Sequence, residues 1–334
     1  MEPKPAQPLQ QGDDLTDVDN QELEDLLSSL PKERSIISSH SYQYQGFWYS
    51  PLSLQGIVNC QKYFQPRQND IVLVTCPKSG TIWLKAILYA LINREVHPPR
   101  NPDHPLLNRT PHQLIPFLEL LKPSEYDSIC NSPDSSTRIF ATHIPVTSLP
   151  KSITDGSSSS NCKIVYLCRD IKDNFVSLFH FANKATLRPS PISLEEALDL
   201  YCKGISATGP VWCQILGYWK ESLENPSKVL FMRYEEIKNE PQFQLRRLAQ
   251  FLGKPFSQEE EDSCLVDQII SLCSFDTMSK LKVNNTGNFE HGFSNGAFFR
   301  NGVVGDWKSC LTADMASRLD QITEEKFGGT GLHL

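Results

Sequence analysis

Several features that would place the protein in a membrane, outside the cell or on a nucleic acid are missing from the sequence. No run of about 18 apolar residues occurs, and the N-terminus has no basic segment followed by an apolar one, so we expect neither a membrane span nor a secretory leader. Basic residues do not predominate, because 32 Lys and Arg stand against 39 Asp and Glu, a formal net charge of -7. We therefore expect a soluble cytoplasmic protein that binds no nucleic acid and no membrane, and whose anionic ligands bind in a local pocket.

Paired cysteines are also missing. None of the ten cysteines forms a C-x-x-C pair, so there is no sign of a zinc or redox site, and several lie in apolar runs. We expect them to be reduced core residues, as in a cytosolic protein. No internal repeat is visible, and 334 residues with 39% hydrophobic side chains are enough for one large domain.

The hydrophobic pattern predicts a single α/β domain over residues 21–334, after a disordered arm over residues 1–20 that is rich in Pro, Gln and Asp. Helical spacing from Leu23 to Leu30 predicts a short amphipathic helix ended by Pro31. Near-continuously apolar segments, typical of parallel strands covered on both faces, lie at 71–75, 138–142, 163–168 and 228–233. Helices are predicted at 81–94, 171–184, 194–206, 209–224, 241–252 and 312–327. The prediction is a central, mainly parallel sheet flanked by helices.

The loop Pro77-Lys78-Ser79-Gly80-Thr81 joins the first of these strands to a helix. Helix N-termini attract anions of the phosphate type, so the loop predicts a P-loop-like nucleotide-binding core. Its lysine precedes the glycine, unlike the G-K-[ST] order of nucleoside triphosphatases. The alternative is a plain strand-to-helix turn capped by Ser79 or Thr81.

Two further segments follow predicted strands at their carboxyl ends, where open parallel sheets bind ligands. His143, in T-H-I-P, is suited to act as a general base; the alternative is a half-buried histidine bonded to a backbone carbonyl. Arg169 is suited to bind an anion with two hydrogen bonds, and Ser177 lies two helical turns beyond it. The alternative for Arg169 is an ion pair with Asp170 or Asp173.

The stretch R-N-G-V-V-G-D-W-K at 300–308 lies in the second of two long irregular stretches, 97–137 and 275–306, which are typical of lids or binding loops. Its two glycines let backbone N–H groups close on an anion. The alternative is a tight turn anchored by a buried Trp307.

In this order, P-K-S-G-T-x-W, T-H-x-P, R-D-x-K-D…S and R-x-G-x-x-G-D-W resemble the motifs of the cytosolic sulfotransferase family, over a range from Gln45 to Phe327. Q-G-F-W at 45–48, H-P-L-L at 104–107 and the acidic N-terminal arm are most similar to the plant branch, which includes flavonol sulfotransferases.

The resemblance implies in-line transfer of a sulfuryl group from 3′-phosphoadenosine 5′-phosphosulfate (PAPS) to a hydroxyl of a small acceptor. His143 would be the general base and Lys78 would stabilise the leaving nucleotide. No metal is expected, because a sulfuryl group carries less negative charge than a terminal phosphoryl group. The residues implied to hold the donor are Lys78, Ser79, Gly80, Thr81, Ile82 and Trp83 around the phosphosulfate, Arg169, Ser177, Arg300, Asn301 and Gly302 around the 3′-phosphate, and Tyr234 and Phe275 around the adenine. Trp83 is also implied to stack near the adenine.

The sequence departs from the family pattern at several positions. Ile82 stands where a second threonine is usual, and Asn301 stands where lysine is common. We therefore expect the donor to bind more weakly. Ala141 stands where many animal members have a lysine near the acceptor. The dimer motif of animal members is reduced to scattered residues between Lys308 and Ser317, which favours a monomer.

The acceptor pocket is predicted to be aromatic and suited to a flat phenol or a steroid. The residues concerned are Phe117, Tyr126, Phe289, Phe293, Phe298 and Phe299. Flavonoids, brassinosteroids, hydroxyjasmonate and desulfoglucosinolates are all acceptors in the plant branch, and the sequence does not select one. Two alternatives remain: a small-molecule P-loop kinase, which would need G-K-[ST] and a magnesium carboxylate, and a catalytically inactive relative that only binds a nucleotide or ligand.

Overall fold

A computed structural model describes residues 17–131, 137–154, 162–184, 190–289 and 293–334, so most of the expected N-terminal arm lies outside the described residues. Two sheets are present in these ranges. The strands are β1 Lys32–Arg34, β2 His40–Tyr44, β3 Phe47–Tyr49, β4 Ile71–Thr75, β5 Ile139–Thr142, β6 Lys163–Cys168 and β7 Val229–Arg233.

The central sheet has the order β5-β4-β6-β7, and all its strands are parallel. Val72 lies opposite Phe140 on one side and Ile164 on the other. Every residue of β4 is buried, as expected for a strand covered on both faces. The four predicted strands are thereby confirmed to within one residue at each end.

The second sheet was not predicted. Strands β1, β2 and β3 pair antiparallel in sequence order. The backbone of Trp48 in β3 bonds to the 208–209 segment, with Thr208 N–H donating to Trp48 O at 3.0 Å and Trp48 N–H donating to Gly209 O at 2.8 Å. Two of these strands have only three residues, too few to show a clear period of two.

Helices cover both faces of the central sheet. In chain order they are α1 Asp17–Ser29, α2 Pro51–Tyr63, α3 Thr81–Ile92, α4 Pro105–Asn108, α5 Pro111–Leu114, α6 Pro123–Asn131, α7 Lys151–Thr154, α8 Ile171–Lys184, α9 Leu194–Cys202, α10 Val211–Glu224, α11 Tyr234–Asn239, α12 Pro241–Phe251, α13 Gln258–Asp262, α14 Leu265–Leu272, α15 Phe275–Lys280, α16 Lys282–Asn285 and α17 Ala313–Phe327. Short 3₁₀ helices lie at Leu118–Leu120, Val146–Ser148, Asn295–Phe298 and Asp306–Ser309.

The six helices predicted from Thr81 onward are present, with the largest difference at 194–206, where α9 ends at Cys202. Gly204 has a φ of +82°, which an α-helix does not accommodate. The amphipathic N-terminal helix is also present as α1. Helix α2 was missed, and the two long stretches expected to be irregular contain α4, α5, α6, α15 and α16.

Alternate residues of the strands face two hydrophobic layers. Val72, Val74 and Tyr166 pack on one side with side chains of α2, α8, α9, α10 and α17. Leu73 and Leu167 pack on the other side with α3, α12 and α14. This strand alternation explains how one sheet holds both layers together.

All ten cysteines are free, but only five are buried: Cys60, Cys76, Cys162, Cys168 and Cys273. The expectation that they are core residues is wrong for Cys213 and Cys264, which are exposed. Among the described helices, none combines the length and the apolar character needed to cross a membrane.

Candidate active site

A cavity of about 270 Å³ lies where the central strands end. All the predicted site residues except Ser79 line it: Lys78, Gly80, Thr81, Ile82, Trp83, His143, Arg169, Ser177, Tyr234, Phe275, Arg300, Asn301 and Gly302. They come from separate stretches of the chain, which the parallel sheet brings to one edge.

The loop between β4 and α3 takes an unusual backbone conformation. Lys78 has a φ of +71° and Gly80 a φ of +106°, both in the left-handed region. A Cβ atom on Gly80 would lie 2.8 Å from Cδ2 of Tyr234. Glycine is therefore required at position 80, because any side chain would push the loop away from Tyr234.

Ser79 holds this loop in place through a buried hydrogen bond. It is buried, and its Oγ accepts a hydrogen bond from Asn174 Nδ2 at 3.0 Å. Asn174 also donates to Pro77 O at 2.8 Å, and Tyr201 donates to Asn174 Oδ1 at 2.9 Å. Asn174 was missed in the sequence although it lies in the R-D-I-K-D-N stretch, while a donor contact for Ser79 stays a prediction.

Lys78 is surrounded by other cations. Its Nζ lies 4.1 Å from the ring centroid of Phe181, a cation–π contact. Burial, and then the positive charges of Arg169, Arg300 and Lys184, lower the pKa of Lys78 to about 7. A nearby anion would relieve this repulsion.

The positive charges of Arg169 and Arg300 are only partly neutralised by neighbouring carboxylates. Arg169 donates to Val303 O at 3.0 Å and lies 3.6 Å from a carboxylate oxygen of Asp173, so the ion pair considered as an alternative does form. Arg300 pairs with Asp306. The Nε atoms of both arginines are buried without a hydrogen-bond partner among the described residues. Burial, and then Arg169, lower the pKa of Arg300. Cations placed together in this way fit an anionic ligand.

Asp173 holds the 300–308 turn in place. Its carboxylate, fully buried, accepts the backbone N–H of Gly305 at 2.7 Å and that of Trp307 at 3.0 Å. Trp307 is only half-buried but packs against the hydrophobic core, so both Asp173 and that ring anchor the turn.

Gly302, Phe275 and Tyr234 pack together at the other end of the turn. A Cβ atom on Gly302 would lie 2.4 Å from Cδ2 of Phe275, and Tyr234 donates to Gly302 O at 3.2 Å. Trp83 meets Tyr234 edge to face, with 5.2 Å between ring centroids. These rings form an apolar wall beside the arginines.

His143 stands at the end of β5 with one ring nitrogen occupied. Its Nδ1 lies 2.8 Å from Thr75 O, and a carbonyl can only accept, so the proton is on Nδ1 and Nε2 carries the lone pair. Its backbone N–H donates to Glu119 Oε1 at 2.7 Å, and Gln214 donates to its carbonyl at 2.6 Å. Burial is the main cause that lowers the pKa of His143 to about 4, and Lys85 adds to it. The imidazole is therefore neutral at pH 7.

Most of the predicted aromatic residues line the cavity beside His143: Phe117, Phe289, Phe293, Phe298 and Phe299. The prediction is wrong for Tyr126, which is fully buried in the core, packs edge-on against Phe64 and donates to Leu118 O.

The sequence did not reveal Glu119, His112, Tyr49 and Phe181, which also line the cavity. Phe181 could have been found, because it lies one helical turn beyond Ser177. Tyr49 directly follows the Q-G-F-W stretch, whereas Glu119 and His112 lie in a segment with no recognised motif.

A model of the sulfotransferase domain matches residues 68–331. The chain belongs to the sulfotransferase family. This sulfotransferase is 46% identical over 311 residues to Cytosolic sulfotransferase 13 of Arabidopsis thaliana, an alignment that covers 93% of each chain.

Solved structures agree with the family. The crystal structure of an Arabidopsis thaliana protein with a proposed steroid sulphotransferase activity is 41% identical, with a TM-score of 0.74, over 98% of this sulfotransferase and 100% of that chain. A mouse sulfotransferase complexed with PAP is 26% identical, with a TM-score of 0.68, over 87% of this chain and 95% of that one. The predicted family, fold class and enzyme class are confirmed.

Proposed function

We propose that this sulfotransferase transfers a sulfuryl group from PAPS to a hydroxyl of a small, flat acceptor, with His143 as general base. The observation that carries the proposal is that one cavity holds both halves of the reaction. Lys78, Arg169 and Arg300 line it together with the neutral imidazole of His143, which lies among aromatic rings.

The residues fit the donor. An anion in the cavity would relieve the repulsion between Lys78, whose pKa is depressed, and the neighbouring Arg169 and Arg300. Lys78 and the start of α3 would hold the phosphosulfate, Arg169, Ser177 and Arg300 the 3′-phosphate, and Trp83, Tyr234 and Phe275 the adenine. The mouse sulfotransferase was solved as a complex with PAP, which supports this choice of donor.

When bound, PAPS supplies an activated sulfuryl group whose S–O bond to the 5′-phosphate breaks in the transfer. His143 Nε2 takes the proton of the acceptor hydroxyl while that oxygen forms its bond to sulfur, and the proton stays on the imidazolium until it reaches solvent. The ammonium group of Lys78 offsets the negative charge gained by the leaving phosphate oxygen. Thr75 O keeps His143 in the tautomer that this step needs.

The alternatives are less well supported. A binding protein would not need an imidazole whose lone pair is free beside the cavity. A P-loop kinase would need the G-K-[ST] order, which the loop at 77–81 does not have. We propose that the enzyme needs no metal. We also propose that it is cytosolic, as the name of its Arabidopsis relative states, and that it is a monomer, which gel filtration tests.

An acceptor screen with PAPS labelled in its sulfate tests the proposal. Phenols, flavonols, steroids and hydroxyjasmonate would each be assayed with the wild type and with His143→Ala. We expect the variant to lose about 10² to 10⁴ in kcat with its PAP affinity unchanged.

His40→Ala, a change at an exposed histidine of β2, is the matched control and should behave as the wild type. Absence of transfer to any hydroxyl would overturn the enzyme proposal, and an active His143→Ala would overturn the base assignment. Activity lost with a chelator and restored by a divalent cation would overturn the metal-free reaction.

A further inference from the structure

His112, at the second position of α5, has its ring orientation and tautomer set by a buried lysine. Lys85 Nζ lies 3.0 Å from His112 Nδ1, and the same ammonium group donates to Ile115 O at 2.8 Å. An ammonium group has no lone pair, so it must donate and Nδ1 must accept. His112 therefore carries its proton on Nε2, whereas His143 carries its proton on Nδ1.

This Nε2–H group has no hydrogen-bond partner among the described residues, although His112 is only 7% exposed. Its ring packs among Phe117, Phe289 and Phe298, with centroid distances of 5.2, 4.6 and 4.9 Å. Phenyl rings offer no lone pair in their plane to satisfy it. The Nε2 atom has almost no accessible surface, so an acceptor oxygen reaches it only when the surrounding phenyl rings shift. Buried donors in native proteins nearly always have a partner, and a ligand that enters the cavity can supply one here.

His112 and His143 contact the same ring. The centroid of Phe117 lies 5.2 Å from that of His112 and 4.9 Å from that of His143. A flat acceptor lying along Phe117 with its hydroxyl at His143 would therefore extend toward His112.

We propose that His112 determines acceptor specificity by donating a hydrogen bond from Nε2 to a ring carbonyl oxygen of the acceptor, an inference that rests on the proposed function. A carbonyl fits better than a second hydroxyl, because it only accepts and leaves no proton unpaired against the surrounding phenyl rings. A cationic group is disfavoured by the positive charges of Lys85 and Lys78 nearby.

The charge state of His112 agrees with this role. Burial, and then the charges of Lys85, His143 and Lys78, hold the pKa of His112 well below its ordinary value. The ring is therefore a neutral donor throughout the physiological range.

Two phenols test the inference: 7-hydroxyflavone and 7-hydroxyflavan, which lacks the ring carbonyl. They also differ in ring planarity and in the acidity of the 7-hydroxyl group, so the quantity compared is the change in their kcat/KM ratio between the wild type and a variant. In the wild type we expect kcat/KM to be at least about tenfold higher for the flavone. His112→Phe keeps an aromatic ring but removes the donor, so this preference should fall at least about fivefold. His112→Gln can place an amide N–H near the position of Nε2 and should restore part of it.

Phe293→Leu is the control, since it alters the shape of the same cavity without a polar atom and should change both acceptors alike. A preference that survives in His112→Phe, or a wild type that does not distinguish the phenols, would overturn the inference while leaving the sulfotransferase function intact.

Calorimetric binding of both phenols to the complex with PAP keeps this outcome separate from failure of the proposed function. If no transfer occurs but His112→Phe loses at least about tenfold in affinity for the flavone alone, His112 has the inferred role and the reaction is wrong. Equal binding losses for both phenols would contradict the role of His112 as a carbonyl donor.

Discussion

Glu119 and His143 are joined through the backbone: the carboxylate Oε1 of Glu119 accepts the N–H of His143 at 2.7 Å. Glu119 is only 7% exposed, and burial raises the pKa of its carboxyl group. The bond connects the 3₁₀ helix Leu118–Leu120 to the end of β5, so it positions the proposed base relative to the cavity.

Glu119→Ala should lower kcat about tenfold or more while the affinity for PAP stays within about twofold of the wild type, because His143 loses its backbone partner but the cation cluster is untouched. Glu119→Gln keeps an oxygen that can accept this bond and should retain most of kcat. Steady-state kinetics and calorimetry measure the two quantities. A parallel loss of kcat and PAP affinity in Glu119→Ala would show a general structural defect instead.

Binding of PAP should be accompanied by proton uptake at about pH 8. Lys78, with a pKa of about 7, is mostly neutral there in the free protein, and the phosphates raise that pKa, so nearly one proton is taken up. Affinity should accordingly fall as the pH rises above 7. Calorimetry in buffers of different ionisation enthalpy counts the protons. Lys78→Arg, whose charge does not titrate, should take up none, and a wild type without uptake would contradict the depressed pKa.

Arg169→Ala should weaken the binding of PAP at least about tenfold, because a buried guanidinium is lost from a phosphate site. The binding of AMP, which lacks the 3′-phosphate, should be weakened much less. Arg318→Ala is the control, since that arginine is exposed and pairs with Asp199 on the surface. Equal losses of affinity for PAP and AMP would mean that Arg169 binds the 5′-phosphate or supports the 77–81 loop, where its Nη1 lies 3.4 Å from Lys78 O.

Ile82→Thr should lower the KM for PAPS about two- to fivefold, since it adds a hydroxyl at the start of α3 beside the proposed phosphosulfate site. Ile82→Val keeps the β-branched shape without the hydroxyl and should leave the KM unchanged. If the threonine variant has the KM of the valine variant, the side chain at position 82 makes no contact with the donor.

Helices and strands were predicted best where the pattern is local. The strand 71–75 and the helix 171–184 have the predicted bounds because an apolar run or a helical period is contained in those residues alone. The three-stranded sheet was missed, since β1 and β3 have only three residues each and depend on pairing with other segments. Helix α2 was missed although Ser50 caps it and Pro51 begins it, which are local signals.

The sequence by itself determined the parallel sheet, the family and a set of motif residues at the strand ends, because hydrophobic periodicity and motif spacing are written along the chain. Only the tertiary structure decided which motif residues face the cavity: Ser79 turns away to meet Asn174, and Tyr126 is buried in the core. It also decided that Lys85 lies against His112, and Glu119 against His143. The first pair is 27 positions apart in the sequence and the second pair 24. The free energy of these contacts depends on packing and desolvation, which cannot be predicted from a local sequence pattern.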